Sequence, residues 1–157
     1  MSENIHESRV YYNLVEANAA VPRLELLFAE LGRIQQEVNS LVRRARKHGV
    51  DIDPESIGKA PPPRNSVRRQ IEDRLIEYTR DYDELLDEIR SLGVVIDDID
   101  AGSVNFYSWI DGHEVFLSWQ TGEPEIAHWH AVTEDSTARR SLRHIVKSHR
   151  PAEVSLH

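Results

Sequence analysis

The stretch that decides the fold is SVNFYSWIDGHEVFLSWQTGEPEIAHWHA, residues 103–131. Apolar and polar side chains alternate along its three segments, which is typical of strands with one face on a core. Asp111-Gly112 separates the first two segments and favours a two-residue hairpin turn, while Thr121-Gly122 gives a weaker signal of the same kind. The pattern therefore predicts a three-stranded antiparallel meander.

If both turns are two-residue loops, the cross-strand pairs follow by counting. The first turn then pairs Ile110 with His113, and the second pairs Val115 with His128 and His113 with His130. Successive side chains point to opposite faces of a strand, so this register predicts one core-facing side with three histidines gathered at one end. The apolar residues predicted on that side are Val104, Phe106, Ile110, Val115, Leu117, Trp119 and Ile126.

The three histidines admit two interpretations. Neutral imidazoles from His113, His128 and His130 could hold Zn²⁺ or another divalent cation, and with Glu123 nearby such a site could support hydrolysis. Alternatively, each histidine is a core group that hydrogen-bonds a backbone carbonyl or a tyrosine. A His-x-His pair on a strand without a matched carboxylate motif leaves both interpretations open.

The opposite face of the predicted sheet is rich in aromatic residues. It carries Tyr107, Trp109, Phe116 and Trp129, although the solvent face of a small sheet is expected to be polar. Either a terminal helix or another molecule should cover this surface. The pattern therefore predicts partner binding through these four residues, in a homodimer that buries Trp109 and Trp129.

Helical periodicity precedes the sheet. Asn13 and Glu16 are spaced as a capping box that begins the first helix, and Pro22 is expected to kink or break it. Apolar residues then recur at intervals of three and four over about 22–48 and about 66–92, which predicts an antiparallel hairpin with a coiled-coil seam, about 14–92 in all.

The remaining segments complete the predicted architecture. Residues 49–65 are rich in proline, glycine and charge, which indicates a mobile loop at the tip of the hairpin. An amphipathic pattern over about 136–148 predicts a short C-terminal helix. The expected fold is α+β, a single domain of residues 1–157 in which the helical hairpin packs on the meander, about 94–131.

Composition limits the classes of function. The chain has 157 residues, a formal net charge of −8 and no cysteine, so disulfides and thiolate metal sites are excluded. Neither a targeting segment nor a membrane span is recognisable, so a cytoplasmic protein is expected. Arg68 and Arg69 fall in the first turn of a helix, where the dipole disfavours cations, which suggests an anionic partner. The net negative charge of the whole chain argues against a dedicated nucleic-acid binder.

Three motifs together carry a resemblance to a known family: LVEANAAVP from residue 14, the segment from Gly102 to His130, and ARRSL from residue 138. They resemble the bacterial family called domain of unknown function 2203. The matching residues are Glu16, Ala17, Asn18, Pro22, Gly102, Val104, Phe106, Trp119, Gly122, Glu123, Trp129, His130, Arg139 and Arg140. Asn105, Tyr107 and Ser118 stand where the family usually has Asp, Pro and Cys. The resemblance implies a bacterial cytosolic protein in which His130 is important, and it implies no reaction.

Three functional hypotheses follow from the sequence. The first is an interaction or assembly module that self-associates, the second a divalent-metal-binding protein, and the third a binder of RNA or another polyanion at the hairpin tip. No phosphate loop, nucleophile elbow or cofactor fingerprint is found, which favours a role without catalysis.

Overall fold

The computed structural model of the chain describes residues 9–50, 52, 67–143 and 145. Two long helices precede an antiparallel sheet of five strands, in the order β1-β2-β3-β4-β5. The elements are α1 (Leu14–Lys47), α2 (Val67–Ser91), β1 (Val95–Asp98), β2 (Ser103–Ile110), β3 (His113–Gln120), β4 (His128–Ala131), a 3₁₀ turn (Ser136–Ala138) and β5 (Arg140–Ser141). The α+β class is confirmed, whereas the prediction of three strands is wrong.

The start of α1 follows the predicted capping box. The Glu16 backbone N–H donates to Asn13 Oδ1 at 2.7 Å, and the Asn13 N–H donates to Glu16 Oε1 at 3.0 Å. Of the predicted kink or break at Pro22, the break is wrong, because α1 continues through this residue. An interior proline costs ~3 kcal/mol, and the buried residues Val21 and Leu24 on either side offset that cost by keeping the helix packed.

The described residues of the range 29–87 form one of two compact units. Within it, Ala45 of α1 packs against Ile71 and Leu75 of α2, together with Ile52. The end of one helix therefore meets the beginning of the other, as the predicted antiparallel hairpin requires. Ile52 belongs to the predicted tip loop, of which residues 51 and 53–65 lie outside the described residues.

The other unit contains the described residues 9–28, 88–143 and 145, which include the sheet. The core face of the sheet presents fully buried Phe106 and Trp119. The Phe28 ring of α1 lies 6.2 Å from the Trp119 ring, and the Tyr12 ring lies 5.0 Å from the Phe106 ring. Burial of these large side chains anchors the first turns of α1 on the sheet.

The predicted register is correct for the first hairpin and wrong for the second. Ile110 pairs with His113 as expected. Val115, however, pairs with Ala131 rather than with His128, a shift of three residues. An odd shift turns every side chain of β4 to the other face. His128 and His130 therefore lie opposite the core face, and His113 is not a neighbour of His130.

The connection between β3 and β4 explains the shift, because it is a long loop over residues 121–127. Glu123 closes its first turn: its N–H donates to Gln120 O, and its side chain accepts from Gln120 N–H. Trp119 Nε1 donates to Glu123 O at 2.9 Å. The Ile126 N–H donates to Asn18 Oδ1 of α1 at 2.7 Å. These bonds hold a loop that the Thr-Gly signal did not predict.

The predicted C-terminal helix, about 136–148, is wrong over its described first part. Asp135 accepts a hydrogen bond from the Thr137 N–H and caps only a short 3₁₀ turn, after which Arg139 is extended. Arg140–Ser141 then pairs with β4. Strand pairing satisfies the outer edge of β4, and this outweighs a weak helical preference. Among the described residues, no helix combines the length and apolarity needed to span a membrane.

Candidate functional site

The face of the sheet opposite the core, called the outer face here, carries several polar side chains that are buried. It carries Ser103, Asn105, Tyr107 and Trp109 of β2, Glu114, Phe116, Ser118 and Gln120 of β3, and His128 and His130 of β4. Of the six buried polar or charged residues in the described chain, four lie on this face: Ser103, Asn105, Ser118 and His130. Burial of polar groups is unfavourable unless they are paired, so this cluster marks the outer face as the candidate site.

The aromatic part of the outer face is covered by residues 9–12, called the N-terminal strap here. The Tyr11 ring lies 5.2 Å from the Trp109 ring and 6.0 Å from the Tyr107 ring. The Arg9 guanidinium lies 4.6 Å from the Tyr107 ring centre. The Tyr12 N–H donates to Tyr107 O at 2.8 Å, so the strap pairs with the edge of β2.

Glu114 fastens the strap through its carboxylate. Arg9 Nη1 donates to Glu114 Oε2 at 2.7 Å, and the Tyr11 hydroxyl donates to the same oxygen. This hydrogen bond raises the pKa of the Tyr11 phenol, because ionisation would place a second negative charge beside the carboxylate. The strap is therefore held by stacking and by charge together.

The predicted partner surface is corrected by this arrangement. Trp129 pairs with Leu117 and lies on the core side, where the Arg140 guanidinium is 5.1 Å from its ring centre. Trp109 lies on the outer face beneath the strap. The two tryptophans do not share a face, since the second hairpin has a shifted register. Self-association and partner binding by these aromatics stay predictions.

His130 is at the centre of the polar part, with 1% of its surface exposed. Its Nδ1 lies 3.0 Å from Ala131 O, and its Nε2 lies 3.4 Å from Asn105 Oδ1. The tautomer decides the direction of these contacts: a proton on Nδ1 donates to the Ala131 carbonyl, and a proton on Nε2 donates to Asn105 Oδ1. The Phe116 ring lies 5.5 Å away in edge contact.

Arg139 and Glu123 form a second polar group beside Ser118. Arg139 Nη2 donates to the two Glu123 oxygens at 2.9 and 3.1 Å, and to Ser118 O at 3.3 Å. His128 Nδ1 is 3.5 Å from Glu123 Oε2 and makes no hydrogen bond within the described chain, and neither does Arg139 Nε. Glu123 therefore compensates the charge of Arg139.

A cavity of about 300 Å³, called the polar pocket here, opens beside these groups. It is lined by Asp97, Asp98, Ala101, Ser103, Ser118, Gln120, Ser136 and Arg139. The Ser103 hydroxyl donates to Asp97 Oδ2 at 3.3 Å. Ser118 is 4% exposed and contributes to the lining of the pocket. Arg139, another residue of the lining, has a buried Nε without a hydrogen-bond partner in the described chain.

The predicted metal ligands are not brought together. His113 is exposed beside the Asp111-Gly112 turn, whereas His128 and His130 pair with Ser118 and Phe116 on the outer face. Across residues 9–50, 52, 67–143 and 145, no three side chains of ligand type form a group able to hold a metal ion. Metal binding by the histidines stays a prediction, without the geometry on which it was based.

The two arginines predicted to bind polyanions lie in the first turn of α2, as expected. Arg68 Nε is 3.5 Å from Glu72 Oε1, and Arg69 Nε is 3.9 Å from Asp73 Oδ2. Acids one turn later therefore offset the unfavourable helix dipole. Local pairing accounts for their placement, and polyanion binding stays a prediction.

Sequence reasoning missed the residues that form the polar pocket. The alternation along β3 places Ser118 opposite the core, and the same parity applies to Ser103. The burial of Ser118 could not be predicted, because Arg139 reaches it from a segment that was expected to be helical. In the sequence, Asp97 and Asp98 indicated only a short, acidic connector.

Comparison with known proteins agrees with the resemblance noted from the motifs. The family model for the uncharacterised conserved proteins DUF2203 matches residues 10–142, which include both helices and all five strands. Comparisons with curated proteins and with solved structures gave no match. The matched range also contains every residue of the polar pocket. On the extent of this match, the chain belongs to the DUF2203 family.

Proposed function

We propose that this protein is a binding module for a small polar ligand, which occupies the polar pocket on the outer face of the sheet. The observation that carries the proposal is the concentration of four of the six buried polar or charged residues on that face. A buried polar group left unpaired costs ~1–3 kcal/mol. A face that served only stability would be apolar under its cover or polar towards water.

The dimensions of the pocket suit a small ligand. Its volume of about 300 Å³ is at the lower end of the range of ~300–1,000 Å³ that is common for ligand sites. A water molecule takes ~30 Å³ of liquid volume, so the pocket has room for roughly ten groups of that size. Ser103 and Ser118 project from two paired strands, so part of the binding surface is formed before the ligand arrives.

A thermal-shift screen of small polar molecules tests the proposal, with Ser118→Val as the pocket variant. Valine removes the hydroxyl that lines the pocket and fills space beside it. A ligand at ~100 times its Kd stabilises by ~2.7 kcal/mol, which raises the melting temperature by about 5–11 °C in a chain of this size. The expected result is a saturable rise that Ser118→Val abolishes.

Ser108→Ala is the matched control, because Ser108 is a buried serine of β2 on the core face. Its hydroxyl donates to Tyr12 O at 2.6 Å, so this variant loses stability but keeps the pocket. A ligand response that survives in Ser108→Ala and disappears in Ser118→Val supports the site. If no compound in the screen stabilises the parent, or if Ser118→Val responds equally, the proposal is wrong.

Self-association is a second candidate, favoured by an exposed apolar row on α1. Val15 is 74% and Leu26 is 66% exposed. Their separation of three helical turns puts them on one side of the helix with Ala19 and Pro22 between them. A second copy laid antiparallel would set Leu26 against the partner's Val15, so that both exposed side chains are buried. Sedimentation of Leu26→Glu at tens of micromolar tests this; a monomeric parent eliminates it.

A further inference from the structure

We propose that the ligand of the polar pocket carries an uncharged carboxamide group, whose carbonyl oxygen accepts a hydrogen bond from Arg139 Nε. This inference rests on the proposed function and adds the chemical class of the ligand. Arg139 lines the cavity of about 300 Å³ together with Ser103 of β2 and with Ser118 and Gln120 of β3. Its Nε is one of two buried side-chain atoms in the described chain that have no hydrogen-bond partner.

The unused donor gives the first argument. The Arg139 guanidinium holds its N–H groups in a rigid planar fork, and its Nη2 donates to Glu123 and to Ser118 O. These contacts fix the plane of the group, so the direction of the Nε–H bond is fixed as well. A buried N–H without an acceptor is unfavourable. A ligand oxygen would satisfy this donor, whereas a cationic group without an acceptor would not.

The charge around the guanidinium gives the second argument. Both oxygens of Glu123 accept from Arg139 Nη2, at 2.9 and 3.1 Å, so the positive charge already has its counter-ion. Asp97 and Asp98 are the other charged residues of the lining. A carboxylate or phosphate on the ligand would therefore meet a compensated cation and two like charges. The carbonyl oxygen of an amide is an uncharged acceptor and avoids that repulsion.

The remaining polar groups of the lining suit the nitrogen of an amide. Asp97 and Asp98 carry carboxylate oxygens, and Ser118 and Ser136 carry hydroxyl oxygens, all of which can accept from an N–H. A primary amide holds its C=O and its N–H groups in one plane, so it can face the Arg139 donor with one end and these acceptors with the other. A ketone or an ester would supply the oxygen alone. The lining therefore favours an amide among uncharged carbonyl compounds.

The experiment uses three planar probes with the same skeleton: acetamide, acetate and acetamidinium. Each is titrated into the ¹⁵N-labelled full chain, and the shifts of the β2 and β3 amides and of the Arg139 side-chain Nε–H are followed. Acetamide should shift the Nε–H signal saturably and bind at least about tenfold more tightly than acetate. Acetamidinium has no acceptor, so it should leave the Nε–H signal unchanged at concentrations at which acetamide saturates.

Variants then assign the contact. Arg139→Lys keeps a positive charge beside Glu123 but has no Nε donor, so it should weaken acetamide binding about two- to tenfold. The matched control is Arg143→Lys, at an exposed position outside the pocket, which should leave the affinity unchanged. The Nε–H shift in the parent tests the contact even if Arg139→Lys fails to fold.

A third variant tests the argument from charge. Glu123→Gln removes the counter-ion of Arg139 and keeps a side chain of the same shape. With the guanidinium uncompensated, the ratio of acetate affinity to acetamide affinity should rise above that of the parent. A ratio that stays the same would show that Glu123 does not set the preference for an uncharged ligand, and the proposed class would then be wrong.

The outcomes separate the two proposals. Tighter binding of acetate or acetamidinium at the same amides overturns the carboxamide class while leaving a ligand site in the pocket. Acetamide binding that leaves the Arg139 Nε–H signal unmoved, or that weakens equally in Arg139→Lys and Arg143→Lys, also overturns it. Absence of localised shifts with all three probes overturns this inference, and failure of the thermal-shift screen described above would then remove the proposed function as well.

Discussion

Replacing His130 by phenylalanine tests whether the polar part of the outer face is held by a coupled pair. The substitution keeps a ring of similar shape next to Phe116 but removes both ring nitrogens. Asn105, which is 4% exposed, then loses its partner at 3.4 Å. Asn105→Leu is the complementary change, because it leaves Nε2 of His130 without a partner. The double variant replaces the polar pair by an apolar one.

The expected magnitudes follow from burial and distance. Each single variant leaves one buried polar group unpaired, which costs ~1–3 kcal/mol. Replacing both partners by apolar groups removes that penalty, so the double variant should lose less than the sum of the two single losses. The contact of 3.4 Å is long for a hydrogen bond between neutral groups. We therefore expect a coupling free energy at the low end of the usual range, ~0.5–1 kcal/mol.

Urea unfolding followed by tryptophan fluorescence measures this cycle. The chain has three tryptophans, and all of them lie in β2, β3 and β4, so the signal reports on the unit that contains the site. The midpoints of the four proteins give the free energies if the slope m is unchanged. Additivity within ~0.3 kcal/mol would refute the coupling and leave His130 as a residue that merely fills space.

Three further predictions concern the surroundings of the site. Hydrogen bonds from Arg140 lower the pKa of Glu134 to about 2 from the ordinary 4.5. A carboxyl with a lowered pKa stabilises the fold fully above pH 4.5, and this stabilisation is lost as the pH falls towards 2. Urea unfolding should therefore show that the difference in stability between the parent and Glu134→Gln disappears on acidification. Asn18→Ala should cost ~1–3 kcal/mol and speed hydrogen exchange at the Ile126 amide, whose acceptor it removes. Gly93→Ala should lower the melting temperature by calorimetry, because φ is +83° and an added Cβ would lie 2.6 Å from a side chain of the N-terminal strap.

Local chemistry explains what could be predicted from the sequence. The capping box of Asn13 and Glu16 and the Asp111-Gly112 hairpin each depend on residues close together in the chain, and both form as expected. The long helices have strong periodicity and end within about two residues of the predicted bounds at Lys47, Val67 and Ser91. The first helix also begins at the predicted capping box, and it continues through Pro22.

The errors share one physical cause, which is an interaction with a distant segment. The loop after β3 is held by Asn18, 108 residues away in sequence, and no local pattern contains that bond. β5 has two residues, too few for any periodicity to be recognised. Both errors affect the candidate site. His128 and His130 were identified as polar groups of interest, but the predicted register gave them the wrong neighbours. Arg139, whose guanidinium reaches Ser118, was assigned to a helix.

The order in which the chain is made gives the N-terminal strap a particular place in assembly. Each strand of the sheet pairs with the strand next to it in sequence, so the sheet forms by closing short loops, which is fast. The strap instead waits for β2, because Tyr12 and Ser108 are 96 residues apart. The strap is synthesised before β2, and we expect it to dock after the sheet has formed, so that Trp109 and Tyr107 would lack their cover until then. We expect pulsed hydrogen exchange to protect the amides of β2 and β3 before that of Tyr12; simultaneous protection would show that the strap takes part in forming the sheet.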